Sequence, residues 1–297
     1  MAEIITPKLI ISKLSKRESN TSKYDYGTLL AVCGSKYYRG AAMLAASAAC
    51  RCGAGIVCLA STERVISSVV SAIPECTFLP LEESENGTIS HRSTLDIIAR
   101  ANKSDAALIG CGLALDDETR QVVQNVITSA ECQLVIDADA LNVLSENVEL
   151  LKQARKMPVI TPHFGEMARL CKKSRQDVEN APEKTALDFA YRYNCVVVLK
   201  SHVTFIATPD GKCFVNTDVG NAGLAKGGSG DVLAGMIASF LAQGKDQTAS
   251  ACCGVYLHGL AADKCADRLS MTSMLPSDVV FEIGSVFKGI ETNGEIR

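Results

Sequence analysis

Short apolar, strand-like runs recur along this chain, and most are followed by a longer stretch with helical periodicity. Six such runs stand out, at residues 29–33, 55–60, 106–110, 133–137, 158–161 and 195–200. Helix-like stretches lie between them, among them 41–51, 117–130 and 182–193. Near-continuous apolar strands must be covered on both faces, so the alternation predicts an α/β protein, a three-layer sandwich around a mostly parallel sheet. Residues 203–208 and 212–216, joined by Pro209-Asp210-Gly211, read instead as an antiparallel hairpin. After Asp231 the pattern turns helical, over 232–243, 248–268 and 277–288. The polar stretch 87–104 reads as a surface connection, and Asn86-Gly87 as a turn rather than a glycosylation acceptor.

A chain of 297 residues, 47% of them hydrophobic, is long enough to bury a large core. No internal repeat and no Pro/Gly/Ser linker divides it, so one domain over 1–297 is expected, with residues 1–23 as an N-terminal extension. Lys plus Arg number 30 against 33 Asp plus Glu, with no basic stripe. Trp is absent and aromatics make up 5%, so base-stacking platforms and nucleic-acid partners are not expected. Lys8, Lys13 and Lys16 interrupt the N-terminal apolar residues, and the apolar run 41–50 is too short to span a bilayer. The expectation is a cytoplasmic protein with no membrane partner. The 13 cysteines form no Cys-x-x-Cys pair, so they read as reduced packing residues rather than zinc ligands.

The segment Gly220-Asn221-Ala222-Gly223 through Gly227-Gly228-Ser229-Gly230-Asp231 opens directly into an apolar helical pattern. Free N–H groups at such a helix start favour an anion, above all a phosphoryl group in transfer. Asp231 then serves either as a helix cap or as a proton acceptor.

This segment resembles the anion-hole motif of the ribokinase-like fold, and its full form, GNAGLAKGGSGDVLAG over 220–235, is similar to that of the ADP/ATP-dependent NAD(P)H-hydrate dehydratases. Further matches follow in order: CGSKYYRGAAMLAASAACRCGAG (33–55), IGCGLALDDET (109–119), VIDADALNVL (135–144), VITPHFGEMARL (159–170), HGLAAD (258–263) and LPSD (275–278). The resemblance covers residues 24–288 and implies a ribokinase-like sandwich. An epimerase domain often precedes this one in the family, and none is expected here.

The resemblance implies a role for each motif. Ala41, Gly112, His163 and Asp231 would meet the hydrated nicotinamide. Lys200, Ser201, His202, Val203, Thr204 and Gly230 would bind the nucleotide, although Ser201 stands where the family usually shows Gly. Gly228, Ser229 and Gly230 would form the anion hole, with Asp231 as catalytic base. The implied reaction phosphorylates the ring hydroxyl of NADH- or NADPH-hydrate from ADP or ATP and eliminates phosphate. Mg²⁺ would neutralise nucleotide charge, without a dedicated all-protein cage. A homo-oligomer, a tetramer, is also implied.

Several of these residues carry a second reading. Ala41 also serves helix packing, and Asp137 and Asp139 either orient substrate or water or cap the next helix. Lys226 is a further candidate for phosphate charge, and His258 reads as a buried core residue. The rival functions are a small-molecule kinase on the same fold and a catalytically silent nucleotide-binding regulator.

Overall fold

The computed structural model describes residues 2–293, the side chain of Asn293 excepted. Its ten described strands are β1 (Glu3–Ile4), β2 (Thr28–Val32), β3 (Ile56–Thr62), β4 (Thr77–Leu81), β5 (Ala106–Ile109), β6 (Gln133–Ile136), β7 (Val159–Ile160), β8 (Val196–Leu199), β9 (Thr204–Ala207) and β10 (Cys213–Asn216). The first six described helices are α1 (Pro7–Lys13), α2 (Arg39–Arg51), α3 (Glu63–Val69), α4 (Thr94–Ala101), α5 (Asp117–Ser129) and α6 (Asp139–Glu146). The next six are α7 (Phe164–Cys171), α8 (Arg175–Asn180), α9 (Pro182–Tyr193), α10 (Ser229–Ala242), α11 (Gln247–Arg268) and α12 (Pro276–Asn293).

The strands form one sheet in the order β1-β10-β9-β8-β7-β6-β5-β2-β3-β4. Every pairing is parallel except those of β9, which runs against both β8 and β10. The six predicted strands and the hairpin are all present. Alternate residues feed two cores: Leu29, Ala31 and Val135 face one, and Leu30, Val32 and Ile136 face the other. Helices α2, α10, α11 and α12 cover the first face. Helices α4 to α7 and α9 cover the second.

Three elements depart from the sequence pattern. The polar stretch expected to be a surface connection contains α4, whose Ile97 and Ala101 are fully buried. Its exposed Leu95 and charged flanks dilute the signal, but one apolar stripe is enough to seat a helix. Residues 77–81 add an edge strand despite Pro80, which an edge tolerates. Near the N-terminus, β1 pairs with β10, and Ile5 and Ile10 are fully buried.

Helix α10 is apolar around its whole circumference, with Val232 to Ala242 all buried. It lies close against α2: a Cβ added at Gly235 would sit 2.2 Å from the Ala45 carbonyl oxygen. Ser239 Oγ donates to Ala49 O at 2.9 Å and accepts from Ala54 N at 3.1 Å, pinning the far end of the pair. Gly235→Ala should therefore force the helices apart and cost about 2–3 kcal/mol in urea unfolding. Gly284→Ala, at an exposed position of α12 where no described residue lies within 4 Å of the added Cβ, should stabilise by about 0.5–1 kcal/mol.

Candidate active site

Parallel strands β2, β5, β6, β7 and β8 all end at one edge of the sheet, where open α/β sheets bind ligands. The glycine-rich loop brings the start of α10 to that edge. Gly228 is the N-cap residue at φ 102°, a left-handed backbone that suits glycine, and no side chain caps the helix. The Ser229 N–H turns back to Lys226 O at 3.3 Å and the Val232 N–H to Gly228 O, so the N–H groups of Gly230 and Asp231 are the ones left for a ligand. Asp231 makes no capping bond. Burial, and then the charge of Asp137, push its carboxyl up to about 6.

Beside it, Asp137 directly follows β6, at 1% exposure. Its Oδ1 accepts from Thr161 Oγ1 and from Lys200 Nζ, both at 2.7 Å. Burial disfavours the Lys200 ammonium, but Asp137 and Glu166 outweigh it and hold the lysine above its ordinary range. A Cβ at Gly230 would lie 3.4 Å from Lys200 Nζ, so the ammonium stands over the first turn of α10. Asp139 directs its Oδ2 to the Ala114 N–H at 2.9 Å, and burial raises its carboxyl. Neither aspartate caps α6, contrary to the capping alternative; the cap residue is Ala138, at φ 51°. A non-glycine residue in that region between two acids is a local strain.

Lys200, Ser201, His202, Thr204, Ser229 and Gly230 share the lining of one cavity of about 600 Å³. Val203 lines instead a neighbouring open groove of about 870 Å³. His163 lines both, joined to Lys200 by a parallel bridge. Ala41 and Gly112 line neither, but they abut: a Cβ on Gly112, at φ 66°, would meet that of Ala41 at 2.7 Å. Ser201 needs no left-handed backbone in place of the usual glycine. Its hydroxyl closes the turn by donating to Val203 O and accepting from Val203 N. Lys226 lines the cavity but spends two donors on the carbonyls of Thr272 and Met274, strapping the loop before α12. His258 is buried and lines the cavity, yet its Nε2 has no hydrogen-bond partner among the described residues, so the core reading leaves it unsatisfied. Burial pushes its imidazole down to about 4.

Two neighbours escaped the sequence reading. Cys111, between Gly110 and Gly112, lies 3.9 Å from Asp137 Oδ2. Glu166, buried at the start of α7, forms a reciprocal cap with His163. The spacing of a capping box, with Glu three residues after the cap, was a signal for the second. Cys111, Asp137 and Asp231 place ligand atoms within 4.8 Å of one another. A soft thiol and a carboxylate already paired with Lys200 do not fit Mg²⁺, which prefers an oxygen octahedron.

A profile of the NAD(P)H-hydrate dehydratase family matches residues 29–284. The chain belongs to that family. It is 39% identical to the ADP-dependent (S)-NAD(P)H-hydrate dehydratase of Xanthomonas campestris pv. campestris, over 89% of both chains. It is 37% identical over 86% of its length to the bifunctional NAD(P)H-hydrate repair enzyme Nnr of Thermofilum pendens, but spans only 48% of that protein. The crystal structure of the Bacillus subtilis ADP/ATP-dependent NAD(P)H-hydrate dehydratase co-crystallised with ATP/Mg²⁺ superposes with a TM-score of 0.81 at 30% identity, covering 97% of this chain and 98% of that one. The fold is thus the ribokinase-like sandwich. No described helix is long and apolar enough to cross a membrane.

Lys200→Met should strand the Asp137 charge and cost about 3–5 kcal/mol in chemical denaturation. Adding Asp137→Leu should restore most of that loss, because the carboxylate that Lys200 neutralises directly is then removed with it.

Proposed function

We propose that this chain repairs hydrated nicotinamide cofactors, dehydrating the S form of NADH- or NADPH-hydrate at the expense of ADP, giving AMP, or of ATP. The observation that carries this reading is Asp231: a largely buried carboxyl, free of capping duty, at the start of a helix that a glycine loop opens. Hydroxide is a poor leaving group, so the ring hydroxyl must be activated. Asp231 takes its proton as the oxygen attacks the terminal phosphorus of the nucleotide. The Gly228–Gly230 amides and Lys200 stabilise the charge that develops on the transferred phosphoryl group. Phosphate then leaves with the C–O electrons, an adjacent ring carbon gives up a proton, and the ring double bond is restored. Mg²⁺ belongs with the nucleotide's phosphates, whose charge it neutralises when bound.

The remaining assignments follow from this reading: Ala41, Gly112 and His163 as contacts to the hydrated ring, and Lys200 to Thr204 as contacts to the nucleotide. A cytoplasmic homo-oligomer is part of the same proposal. The kinase alternative is not favoured, because the similar curated relatives are named as dehydratases.

Incubation with S-NADH-hydrate and Mg²⁺, with ADP or ATP in separate tubes, should restore the near-ultraviolet absorbance of reduced nicotinamide. A stable phosphorylated product without that recovery would return the protein to the kinases. Asp231→Asn should lower turnover by about 10²–10⁴-fold while the protein stays folded. The base must be ionised to act, and its pKa is raised to about 6. Turnover should therefore rise with pH through about 6, level off above it, and fall about tenfold for each unit below.

A further inference from the structure

His163 caps α7 with its ring rather than with a hydroxyl. Its Nδ1 accepts the N–H of Gly165 at 2.9 Å and of Glu166 at 3.2 Å. A ring nitrogen that accepts two N–H bonds carries no hydrogen, so a neutral His163 must hold its proton on Nε2. Glu166 closes the other half of the box: its Oε2 accepts the His163 backbone N–H at 2.8 Å. Its Oε1 lies 3.6 Å from Nε2, too far for a hydrogen bond, which leaves the Nε2 proton free. The Glu166 side chain is 7% exposed and that of His163 55%, so the carboxylate is anchored in protein and the ring faces the ligand space.

The charges around the ring act in the same sense. Lys200, Arg169 and Arg175 oppose a second proton, and Asp137 and Glu166 favour one. Burial and the cations prevail, so the imidazole sits below its ordinary range and is neutral near pH 7. The helix N-terminus, with its partial positive charge, adds to that preference.

We propose that Glu166 is a positioning residue that fixes His163 in its Nε2–H tautomer, so that His163 meets the hydrated nicotinamide only as a hydrogen-bond donor to one of its oxygens. The identity of that ligand rests on the proposed function; the tautomer does not. With Nδ1 occupied and Nε2 protonated, His163 takes no proton from the substrate, and base chemistry falls to Asp231. The geometry separates two titratable groups into a donor and an acceptor, one fixed by a helix start and the other by burial.

The test is long-range proton–nitrogen NMR of the full chain labelled with ¹⁵N-histidine. Only four histidines are present, and His163→Gln assigns the relevant signals. The expected spectrum at pH 8, where the imidazole is neutral and Glu166 is ionised, shows His163 Nδ1 unprotonated and Nε2 protonated. Glu166→Ala should mix the tautomers and raise KM for the hydrated dinucleotide about tenfold, with the loss falling on KM more than on kcat. Glu166→Gln, whose amide oxygen still accepts the His163 N–H, should recover both the spectrum and KM even if the alanine variant folds poorly. A protonated Nδ1 or a tautomer mixture in the unsubstituted protein overturns the proposal. So does an alanine variant with unchanged spectrum and KM. The expected spectrum in a protein that never restores the hydrated cofactor overturns the functional reading and leaves the tautomer assignment standing.

Discussion

The close contact of α10 with α2 is the constraint from which the site follows. A helix buried on all sides has no amphipathic stripe to orient it, so steric fit decides where it lies. Gly235 provides that fit by admitting the Ala45 carbonyl where any side chain would collide. Once the helix is seated, its N-terminus can point only at the carboxyl edge of the sheet. The first turn lacks a side-chain cap. The open N–H groups of Gly230 and Asp231 and the nearby Lys200 make an electropositive spot on an otherwise acidic floor.

That floor is an arrangement of charges that partly cancel. Asp137 directly follows β6 and Lys200 directly follows β8, and the single strand β7 lies between the two strands whose ends bring this carboxylate and ammonium together. Their pairing leaves Asp231 and Asp139 as the surplus negative groups, and burial raises both. A carboxyl poised near 6 is ionised at neutral pH yet basic enough to accept a proton, the compromise that general-base catalysis requires. Glu166, pushed up to about 7 chiefly by burial, serves a different task, the cap that holds His163.

Much of this was legible in the chain because its signals are local. The apolar runs at 106–110 and 133–137 became β5 and β6, and Pro209-Asp210-Gly211 turned the hairpin. The edge strand at 77–81 was hidden by Pro80, and α4 by the polarity of its exposed face. In the site, glycine density pointed to the start of α10, but Cys111 carried no signal because a cysteine inside an apolar run reads as packing. Lys226 had the right charge in the right loop. Only its partners, the carbonyls of Thr272 and Met274, show that it holds the loop before α12.

The sequence by itself determined the layered α/β class, the order of the ligand-facing turns and the residues able to carry acid–base chemistry. Periodicity, glycine and charge act over a few residues, and so they survive in a linear reading. Tertiary structure alone decided which groups meet: Asp137 with Lys200 across 63 residues, Ala41 with Gly112, and Cys111 with the aspartates. It also set the protonation of Asp231 and His163. Burial and neighbouring charge act through space, and distance through space is not written along the chain.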